Sequence, residues 1–586
     1  AILLSYDDIV KSCPIELDSD KEKISAYNMD WSQMFNVKLD VLGLRTVSVV
    51  DQACKFIGIN VEDIDLDHES IYQNLYDLKQ PHGIFQVEAR ANYEVCKKVK
   101  PKNLEELSAV LALARPGAMQ FTDQYANYTN NDTYDVIHPY FDDILGSTGG
   151  VCLYQEQMMK MAHKIGFSLD EAELLRRIVG KKKVNEVKKW KKKIKDKVKE
   201  NNLDKEIGNI LWQVLEDSAN YSFNKSHSIA YAALAATTVY LKFNHPKEFF
   251  LALLQMSKFE PDPIDEISKI NRELIHFNIN LLRPDVVKSK DDFAIENDNI
   301  RFGLTSIKGI SDSSIKKLNN FKASSYNKFQ VFQASTEAGI NMGVLSALIQ
   351  AGALDVGGKQ SRSKVVLEFQ LWKIMTARER VIAMQFAEQG NNDLINVINK
   401  MKVGTDENGK PFIKDSRIET IRKKFTPYKR IYDINHSNER FANWYYENEL
   451  LGYTHGVSLR DIFLDKNRDL LQIAEVKARG AKSKVCFAGS VTDCTGVKVS
   501  KNGNEYVKFE IGDETSSIDV LIFNNKRGRG IDDCIEQNKG LPAKKNIVWV
   551  RGVKSDDGVF ANFVTVQDSK IYMKLGQLKN DEKSLD

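Results

Sequence analysis

The chain has 586 residues, more than one hydrophobic core supports, so we expect several domains. An apolar fraction of 42% and a charged fraction of 28% are typical of folded protein and exclude a disordered chain. No stretch supplies the roughly 18 consecutive apolar residues of a membrane span, so we expect no membrane partner. Seven cysteines without a CxxC pair argue against a zinc site or a disulfide framework and favour a reducing, cytoplasmic location. The first residue is Ala rather than Met, which suggests the downstream part of a longer protein.

The predicted elements begin with a strand-like apolar run over residues 1–10. A second strand is expected over 37–42, where apolar and polar side chains alternate. Gly43 ends that strand, and a helix is expected from about Thr46. Residues 61–260 show the apolar periodicity of helices.

The second half of the chain contains three kinds of sequence pattern in turn. Strands and a turn are expected over 282–310, and helices resume to about residue 395. Residues 403–440, rich in Lys, Asn and Asp, have the composition of a linker. Residues 485–566 alternate between apolar and polar, with turns at 501–503 and 556–558, which predicts a small barrel of about five strands.

One segment dominates the charge pattern. Residues 181–200 carry eleven lysines against three acidic residues, a local charge of +8, whereas the whole chain has a net charge of +3. A solvated helical face is one interpretation of this run. Its position directly after Gly180 favours the other, contact with phosphate groups.

Asp40 is the candidate metal ligand. It is predicted to lie on a strand, one pleat from Lys38 and just before Gly43. Hard cations such as Mg²⁺ prefer oxygen ligands and keep waters and substrate phosphates in their shell. A solvent-exposed aspartate at a strand end is the alternative, and Asp40 alone does not decide between them.

Two polar segments of the helical region suit an anionic ligand. Arg176 and Arg177 precede the lysines at 181–183. Arginine binds phosphate oxygens through two parallel hydrogen bonds, and lysine adds a mobile charge, so a triphosphate offers targets for both. Residues 221–227 form a polar segment that leads into an Ala-rich helix, and helix capping by Ser226 is its alternative role.

The order and spacing of these segments resemble the family C DNA polymerases, the bacterial DNA polymerase III alpha enzymes. The matching segments are KLDVLGLRTVS at 38–48, GIFQVEA at 83–89, LALARPGA at 111–118, LYQEQMM at 153–159, LLRRIVGKKK at 174–183, SFNKSHSIAYA at 222–232, YLKFNHPKEFFLALL at 240–254, IRFGLTSIKGIS at 300–311, LSALIQAGALD at 345–355 and ENELLGYTHGV at 447–457. The resemblance therefore covers most of the chain.

The chain also departs from the family pattern. The family usually has Gly where Ser222 stands, Pro where Ala118 stands and Ser where Ala89 stands. The second Gly of the hairpin is Ser311, which weakens the backbone turn that grips DNA. These changes indicate a divergent member, and the Lys- and Asn-rich composition suggests a phage origin.

The resemblance implies a multidomain α+β fold with a partial polymerase palm, large and mainly helical fingers, a helix–hairpin–helix region and a C-terminal OB-fold β-barrel. The implied boundaries are 1–60 for the C-terminal part of the palm, 61–275 for the fingers, 276–395 for the helix–hairpin–helix, DNA- and clamp-binding region, 396–478 for a connector, 479–575 for the OB-fold domain and 576–586 for a polar tail.

The implied activity is template-directed DNA synthesis, in which a DNA polymerase transfers a nucleotide from a dNTP to the primer 3′-hydroxyl of primer–template DNA. By resemblance, Asp40 is catalytic, the third of three palm aspartates that hold two Mg²⁺ ions. The implied nucleotide-binding residues are Lys38, Arg176, Arg177, Lys181, Lys182, Asn224, Lys225 and His227. The implied DNA-binding residues are Lys183, Lys188, Lys189, Lys308, Gly309, Lys508, Lys526 and Arg527.

The other two aspartates lie upstream in this family. We therefore expect the N-terminal palm and thumb part of the polymerase as a partner, either as the rest of a longer chain or as the other half of a split enzyme. The acidic runs DSD at 18–20 and DIDLD at 63–67 are interpreted as exposed residues rather than substitutes for the missing aspartates.

Two further expectations concern nucleic-acid binding by the barrel and contact with a sliding clamp. OB-folds bind single strands through a basic groove and exposed aromatic rings, which adds Arg529 to the candidates, whereas alternation places Phe509 in the core. A sliding clamp stays open as a partner, because Gln370-Leu371-Trp372 is a poor clamp-binding motif. The alternative functions are a non-catalytic DNA-binding homologue and an accessory protein that binds RNA or single strands.

Overall fold

The computed structural model describes most of the chain. The described residues are 2–28, 31, 32, 34, 36–39, 43–180, 184–218, 221–318, 327–355, 361–436, 439–464, 469–500, 502–525 and 528–567. Six residues with predicted roles lie outside them, namely Asp40, Lys181, Lys182, Lys183, Lys526 and Arg527. The described part is helical over most of its length and ends in a β-barrel, so the predicted α+β class is confirmed.

The described residues up to Leu39 contain two small antiparallel ribbons. Their strands are β1 (Ile2–Leu4), β2 (Ile15–Leu17), β3 (Lys23–Ser25) and β4 (Val37–Leu39). β1 pairs with β4, so that Leu3 lies opposite Lys38, and β2 pairs with β3. The strand predicted over 37–42 is thus confirmed as far as residue 39, and the helix expected from about Thr46 is α1 (Arg45–Ile57).

A helical body follows, as predicted for residues 61–260. Its helices are α2 (Glu69–Tyr76), α3 (Arg90–Val99), α4 (Leu104–Leu113), α5 (Thr122–Asn131), α6 (Asp142–Leu145), α7 (Gln155–Lys164), α8 (Leu169–Gly180), α9 (Val184–Glu200), α10 (Lys205–Ser218), α11 (Lys225–Asn244) and α12 (Pro246–Met256). α11 is central, because its small side chains Ala232, Ala235 and Ala236 are fully buried and let α4 pack closely. A second core is built mainly from α7, α8, α9 and α10.

The next region mixes short strands and helices, as expected. Its elements are α13 (Pro263–Leu274), β5 (Leu281–Leu282), β6 (Ala294–Glu296), β7 (Asn299–Arg301), α14 (Asp312–Leu318), α15 (Lys328–Glu337), α16 (Met342–Gln350), α17 (Arg362–Ile374), α18 (Ala377–Glu388) and α19 (Leu394–Val403). β7 lies between β5 and β6 in one small sheet. The helices share a large apolar core with α1, α12 and α13.

The linker predicted over 403–440 is wrong. This segment contains α20 (Asp415–Asn435), a helix of 21 residues that packs against α17. Its apolar side chains at 418, 421, 425, 428 and 432 follow helical spacing and contact the large core. The Lys- and Asn-rich composition describes the solvent-facing side of a helix rather than a flexible segment.

The C-terminal barrel is closed by five strands, as predicted. The elements are α21 (Glu439–Leu451), α22 (Leu459–Phe463) and α23 (Ile473–Ala478), followed by β8 (Lys484–Val499), β9 (Glu505–Gly512), β10 (Ser517–Asn525), β11 (Gly528–Arg529), α24 (Gly530–Asn538), β12 (Ile547–Lys554) and β13 (Gly558–Val566). Around the barrel the order is β8–β9–β10–β13–β12, and β12 pairs with β8 to close it. β10 and β13 run parallel and the other neighbours antiparallel, an arrangement consistent with an OB-fold.

The barrel is docked on α21 and α22. Trp444 Nε1 of α21 donates a hydrogen bond to Glu514 Oε1 of the barrel, and the Leu459 backbone N–H donates to the same oxygen at 2.8 Å. The Trp549 ring of β12 packs edge-on against Phe463 of α22, with ring centroids 5.4 Å apart. Burial raises the pKa of Glu514 to about 7.

The structure describes all seven cysteines, and each carries a free thiol. Among the described residues, the helices are too short or too polar to span a membrane.

Candidate functional site

The two arginines of α8 share one carboxylate. Glu173 accepts two hydrogen bonds from Arg176, both 2.7 Å long, and a third from Arg177 Nε at 2.7 Å. Hydrogen bonding to Arg176 is the main cause that lowers the pKa of Glu173 to about 2. Arg176 is largely covered, whereas 64% of the Arg177 side chain is exposed. The pair therefore presents a fixed positive charge at the surface, and Glu173 is a partner that the sequence did not reveal.

The N-terminus of α11 is held by a second carboxylate. Glu156 on α7 accepts hydrogen bonds from the Asn224 side-chain amide at 2.9 Å and from the Lys225 backbone N–H at 3.0 Å. The negative charge of Glu156 also acts on Arg176, whose pKa is raised mainly by its hydrogen bonds to Glu173. Glu156 thus joins α7 to the N-terminus of α11, and we call Glu156, Glu173, Arg176, Asn224 and Lys225 the carboxylate–cation cluster.

The cap of α11 is Asn224, not Ser226. The Asn224 side-chain oxygen accepts a hydrogen bond from the His227 backbone N–H at 2.8 Å. Lys225 extends its ammonium group to Glu105 of α4, 2.9 Å away. The His227 ring is exposed and packs at a tilt of 54° against Tyr231, with centroids 4.2 Å apart. Asn224, Lys225 and His227 therefore lie together at the N-terminus of α11.

Arg115 positions the segment that leads into α11. Its guanidinium donates to the Tyr221 carbonyl at 2.7 Å and stacks over the Phe223 ring at 4.0 Å. Phe223 in turn forms backbone hydrogen bonds with Leu153 and Gln155. Burial lowers the pKa of Arg115. The sequence contained this signal in the Arg-Pro-Gly turn at 115–117, but spacing alone did not connect it with residues 221–223.

Helix α9 presents a basic face to solvent. Its apolar side is a stripe of buried Trp190, Ile194 and Val198, which packs in the core shared with α10. The opposite side exposes the lysines 188, 189, 191, 192, 193, 195 and 199. These lysines lie within a few turns of one another, so the face has a high local positive charge. Lys188 and Lys189 are thus exposed where phosphate contact was predicted.

Other predicted residues either show no bond to this cluster or lie outside the described residues. Lys38 is exposed on β4, and the hydrogen bonds and ion pairs of the described residues do not join it to the carboxylate–cation cluster. Asp40, Lys181, Lys182 and Lys183 lie outside the described residues. DSD at 18–20 forms a turn, in which Asp18 accepts backbone hydrogen bonds from Asp20 and Glu22, and DIDLD is exposed at each aspartate, as interpreted from the sequence.

The hairpin residues carry a partner that was not expected. Lys308 Nζ forms an ion pair with Glu449 of α21, and the Lys308 backbone N–H donates to Leu450 O at 3.1 Å. Gly309 has φ of +90°, a conformation that favours glycine, and is open to solvent on its α-carbon. Lys308 therefore ties the hairpin to α21. Trp372 of the poor clamp motif is fully buried in α17.

The barrel residues divide into core and surface. Phe509 is fully buried, as alternation predicted. Lys508 forms an ion pair with Asp519 on the neighbouring strand at 2.8 Å, and Arg529 pairs with Glu536 at 2.7 Å. Lys526 and Arg527 lie outside the described residues.

A metal site needs several ligand side chains close together. In the part of the chain that the structure describes, no group of three His, Cys, Asp or Glu side chains is placed to hold a metal ion. The described residues thus do not by themselves make up a magnesium site.

Comparison with known families matches two parts of the chain. Residues 46–202 match the family described as the bacterial DNA polymerase III alpha subunit finger domain. Residues 278–364 match the helix–hairpin–helix motif. The first match contains α8 and α9 with their basic groups, and the second contains Lys308 and Gly309.

Curated relatives extend the similarity beyond these two parts. A DNA polymerase III subunit alpha of Thermus aquaticus is 27% identical over 89% of this chain and 41% of its own length. That of Aquifex aeolicus is 28% identical over 93% of this chain and 43% of its own length. That of Chlamydia muridarum is 33% identical over 60% of this chain and 29% of its own length. The chain therefore spans less than half the length of these relatives.

Proposed function

From the premise that the chain is a divergent relative of the bacterial DNA polymerase III alpha subunit, we propose that it works in template-directed DNA synthesis. It supplies the fingers, the helix–hairpin–helix region and the OB-fold barrel of a replicative polymerase, together with the strand that leads to Asp40. Its ligands are primer–template DNA and a dNTP, and its partner is the polypeptide that carries the rest of the palm and the thumb.

One observation carries this proposal. Glu156 binds Asn224 and the Lys225 backbone, its charge also acts on Arg176, and the basic face of α9 lies on the helix that follows α8. Guanidinium and ammonium donors suit a triphosphate, and an extended basic face suits a nucleic-acid backbone. Arg176, Arg177 and the α9 face lie in the segment 46–202 that matches the polymerase finger family, and Lys225 follows that segment.

The arginines would act by exchanging partners. In the structure Glu173 occupies both guanidinium groups through charge-assisted hydrogen bonds. A nucleotide phosphate offers the same geometry and more negative charge, so it can replace the carboxylate on the exposed Arg177 first. Lys225 and His227 lie on the neighbouring helix edge and would orient the same ligand. This arrangement positions and neutralises the triphosphate without covalent chemistry.

Asp40 is proposed to contribute one carboxylate to a magnesium site that carboxylates of the remaining palm complete. Magnesium bound there would activate the primer hydroxyl and neutralise the leaving pyrophosphate. Lys181, Lys182, Lys183, Lys188 and Lys189 are proposed to contact DNA or nucleotide phosphates near this centre.

The α9 face gives a direct test. In the double variant Lys188→Glu/Lys189→Glu, we expect affinity for a fluorescent primer–template duplex to fall at least tenfold at 100 mM salt. The slope of log affinity against log salt should fall by about 2, because each phosphate contact contributes roughly 0.9. Fluorescence anisotropy measures both quantities.

The matched control is Lys423→Glu/Lys424→Glu, which reverses two adjacent exposed lysines on α20. This control should leave the affinity within twofold. Equal losses in both double variants would show a response to net charge alone and would remove α9 from the DNA interface. Duplex binding without primer extension by the assembled polymerase would favour the alternative, a non-catalytic DNA-binding homologue.

A further inference from the structure

The segments at which α7 and α11 begin lie side by side. The Phe223 backbone N–H donates to the Leu153 carbonyl, and the Gln155 backbone N–H donates to the Phe223 carbonyl, both at 2.8 Å. These bonds belong to a short parallel bridge between the two segments. The start of α7 therefore serves as a support for the start of α11.

The support is itself well anchored. The buried Gln157 side chain accepts a hydrogen bond from the Tyr154 backbone N–H at 2.9 Å. Its amide group donates to Thr148 Oγ1 at 2.7 Å and to the Ile144 carbonyl at 3.1 Å. Glu156 is the residue before Gln157, so its carboxylate projects from a turn that these bonds hold in place.

One oxygen of Glu156 accepts two hydrogen bonds from α11. Glu156 Oε1 accepts from the Asn224 side-chain amide at 2.9 Å and from the Lys225 backbone N–H at 3.1 Å. The oxygen of the same Asn224 side chain accepts from the His227 backbone N–H at 2.8 Å. Because a carboxylate accepts hydrogen bonds and does not donate them, Glu156 selects the orientation of the Asn224 amide that caps the helix.

The first turn of α11 depends on this cap more than the rest of the helix does. Lys225 and His227 lie in that turn, where the backbone N–H groups have no partner within the helix. From Ser228 onward α11 is held in other ways, because the Ser228 hydroxyl donates to the Ser108 carbonyl at 2.8 Å and the following alanines are buried. Loss of the Glu156 contact would therefore release the first turn and leave the remaining helix in place.

We propose that Glu156 is a positioning residue of the nucleotide site. Through its hydrogen bonds to Asn224 and to the Lys225 backbone, it orders the first turn of α11 and holds Lys225 and His227 where they meet a dNTP. Glu156 itself does not touch the nucleotide. This inference rests on the proposed function, because the nucleotide-binding roles of Lys225 and His227 belong to that function.

Two substitutions separate the hydrogen bonds of Glu156 from its charge. Glu156→Ala removes both. Glu156→Gln keeps an oxygen at the position of Oε1, which can accept both bonds from α11, but removes the negative charge that acts on Arg176. A positioning role predicts a loss with alanine and rescue with glutamine, whereas a role of the charge predicts the same loss with both.

Glu106 on α4 supplies a matched control. Its carboxylate accepts hydrogen bonds from the Asn103 side-chain amide at 3.1 Å and from the Lys102 backbone N–H at 2.9 Å, and Asn103 caps α4. Glu106→Ala therefore removes the same kinds of bond from the start of another helix. It measures the general effect of a weakened helix cap.

Single-nucleotide extension by the polymerase assembled with the remaining palm polypeptide gives kcat and the KM for the dNTP. We expect Glu156→Ala to raise KM at least tenfold and to change kcat less than threefold, because the lost order weakens nucleotide binding. Glu156→Gln and Glu106→Ala should stay within threefold of the parent chain in both constants. An unchanged KM in Glu156→Ala, or an equal rise in Glu156→Gln, would overturn the positioning role.

Amide hydrogen exchange of the full chain tests the ordering without any activity. In Glu156→Ala, exchange over residues 225–228 should be at least tenfold faster, and exchange over residues 232–239 should not change. Glu156→Gln and Glu106→Ala should keep the parent rates over 225–228. Unchanged exchange there in Glu156→Ala would overturn this inference alone, whereas failure of the parent chain to extend a primer in the assembled polymerase would remove the proposed function.

Discussion

Glu173 fixes the orientation of the Arg176 and Arg177 side chains. Its carboxylate receives three hydrogen bonds from Arg176 and Arg177, so the arginines are pre-aligned although each has several rotatable bonds. The conformational entropy of the two side chains is already lost in the free protein. A phosphate that replaces Glu173 would therefore bind guanidinium groups that are already oriented. The released carboxylate would then stand beside the ligand and limit the binding of small anions with little charge.

The substitution Glu173→Gln tests this coupling. The pKa of Glu173 lies at about 2 in the folded chain, below its ordinary value of 4.5. Its contribution to stability is therefore present above pH 4.5 and is lost as the pH falls toward 2. Thermal unfolding should show a loss of about 1 kcal/mol for the variant at pH 7, after allowance for solvent screening, and no loss near pH 2.

Glu94→Gln on α3 is the control, because Glu94 is an exposed carboxylate paired with Lys97. A pH-independent effect of Glu173→Gln, or an equal effect of Glu94→Gln, would show that Glu173 does not hold the arginines through its charge.

Residue identities at this site could be predicted, but their partners could not. Arg176 and Arg177 were predicted because guanidinium groups suit phosphate, whereas Asn224 and Lys225 were implied by the resemblance. Glu156, which binds Asn224 and Lys225, stands 68 residues before Asn224, and only the fold brings the two together. Lys508 shows the same difficulty, since a basic type at the right strand gave no sign of its pairing with Asp519.

At the scale of elements, α11 and α13 are joined by a buried ion pair. Lys242 is completely buried and donates hydrogen bonds to the carbonyls of Gln80 and His82 as well as to Glu273. Such a pair adds little net stability over apolar residues, but removing one member leaves a buried charge without a partner.

Lys242→Met should therefore lower the free energy of unfolding by about 3 kcal/mol. Lys247→Met is the matched control, because Lys247 pairs with Asp298 at the surface and its loss should hardly change the Tm. Thermal unfolding measures both. Similar Tm values for the two variants would contradict the structural role of Lys242.

The contact between α21, α22 and the barrel contains the Glu514 carboxyl, which is unfavourable to ionise because it is buried. Burial raises the pKa of Glu514 to about 7, so the stability that its protonated form provides is present below pH 4.5 and is lost as the pH rises through 7. Glutamine keeps an acceptor for Trp444 and Leu459 without the charge. Glu514→Gln should therefore match the parent chain near pH 4.5 and exceed its stability by about 2 kcal/mol at pH 8.

The exposed Glu505 supplies the control for this prediction. Urea unfolding of Glu514→Gln, Glu505→Gln and the parent chain at pH 4.5, 6 and 8 measures the effect. A gain that does not grow with pH would mean that the Glu514 carboxyl is not the group that titrates.

Elements were predicted where periodicity is strong. The barrel strands alternate cleanly, and the helices of residues 61–260 have clear apolar stripes, so both were found. α20 was missed because composition was given more weight than spacing. Its core-facing side is a narrow stripe in which Ile421 and Ile431 are buried and four other side chains are partly buried. Its partner α17 lies about forty residues earlier in the sequence, so tertiary packing decides what local composition leaves open.

On the scale of the whole molecule, the helical body and the barrel contact each other through charged groups. Arg90 meets Asp519, and Lys544 lies 3.8 Å from Asp262 of the turn before α13. The first of these contacts turns Asp519 on β10 toward the helical body.

The order of motifs along the chain indicated the order of the regions better than any single residue did. The helix–hairpin–helix match at 278–364 lies inside the expected 276–395, whereas the finger match at 46–202 begins before the expected 61–275. The sequence does not determine how the regions face each other, because surface charges alone do not specify which side chains pair.

Primer extension tests the central claim most directly. The chain is combined with the polypeptide that supplies the rest of the palm, a primer–template, Mg²⁺ and all four dNTPs. We predict extension with the parent chain and with Asp63→Asn, an exposed aspartate, and a loss of at least a thousandfold with Asp40→Asn, because the metal clamp would lose a ligand. Extension that is unchanged in Asp40→Asn, or absent with the parent chain while primer–template is bound, would contradict the polymerase function.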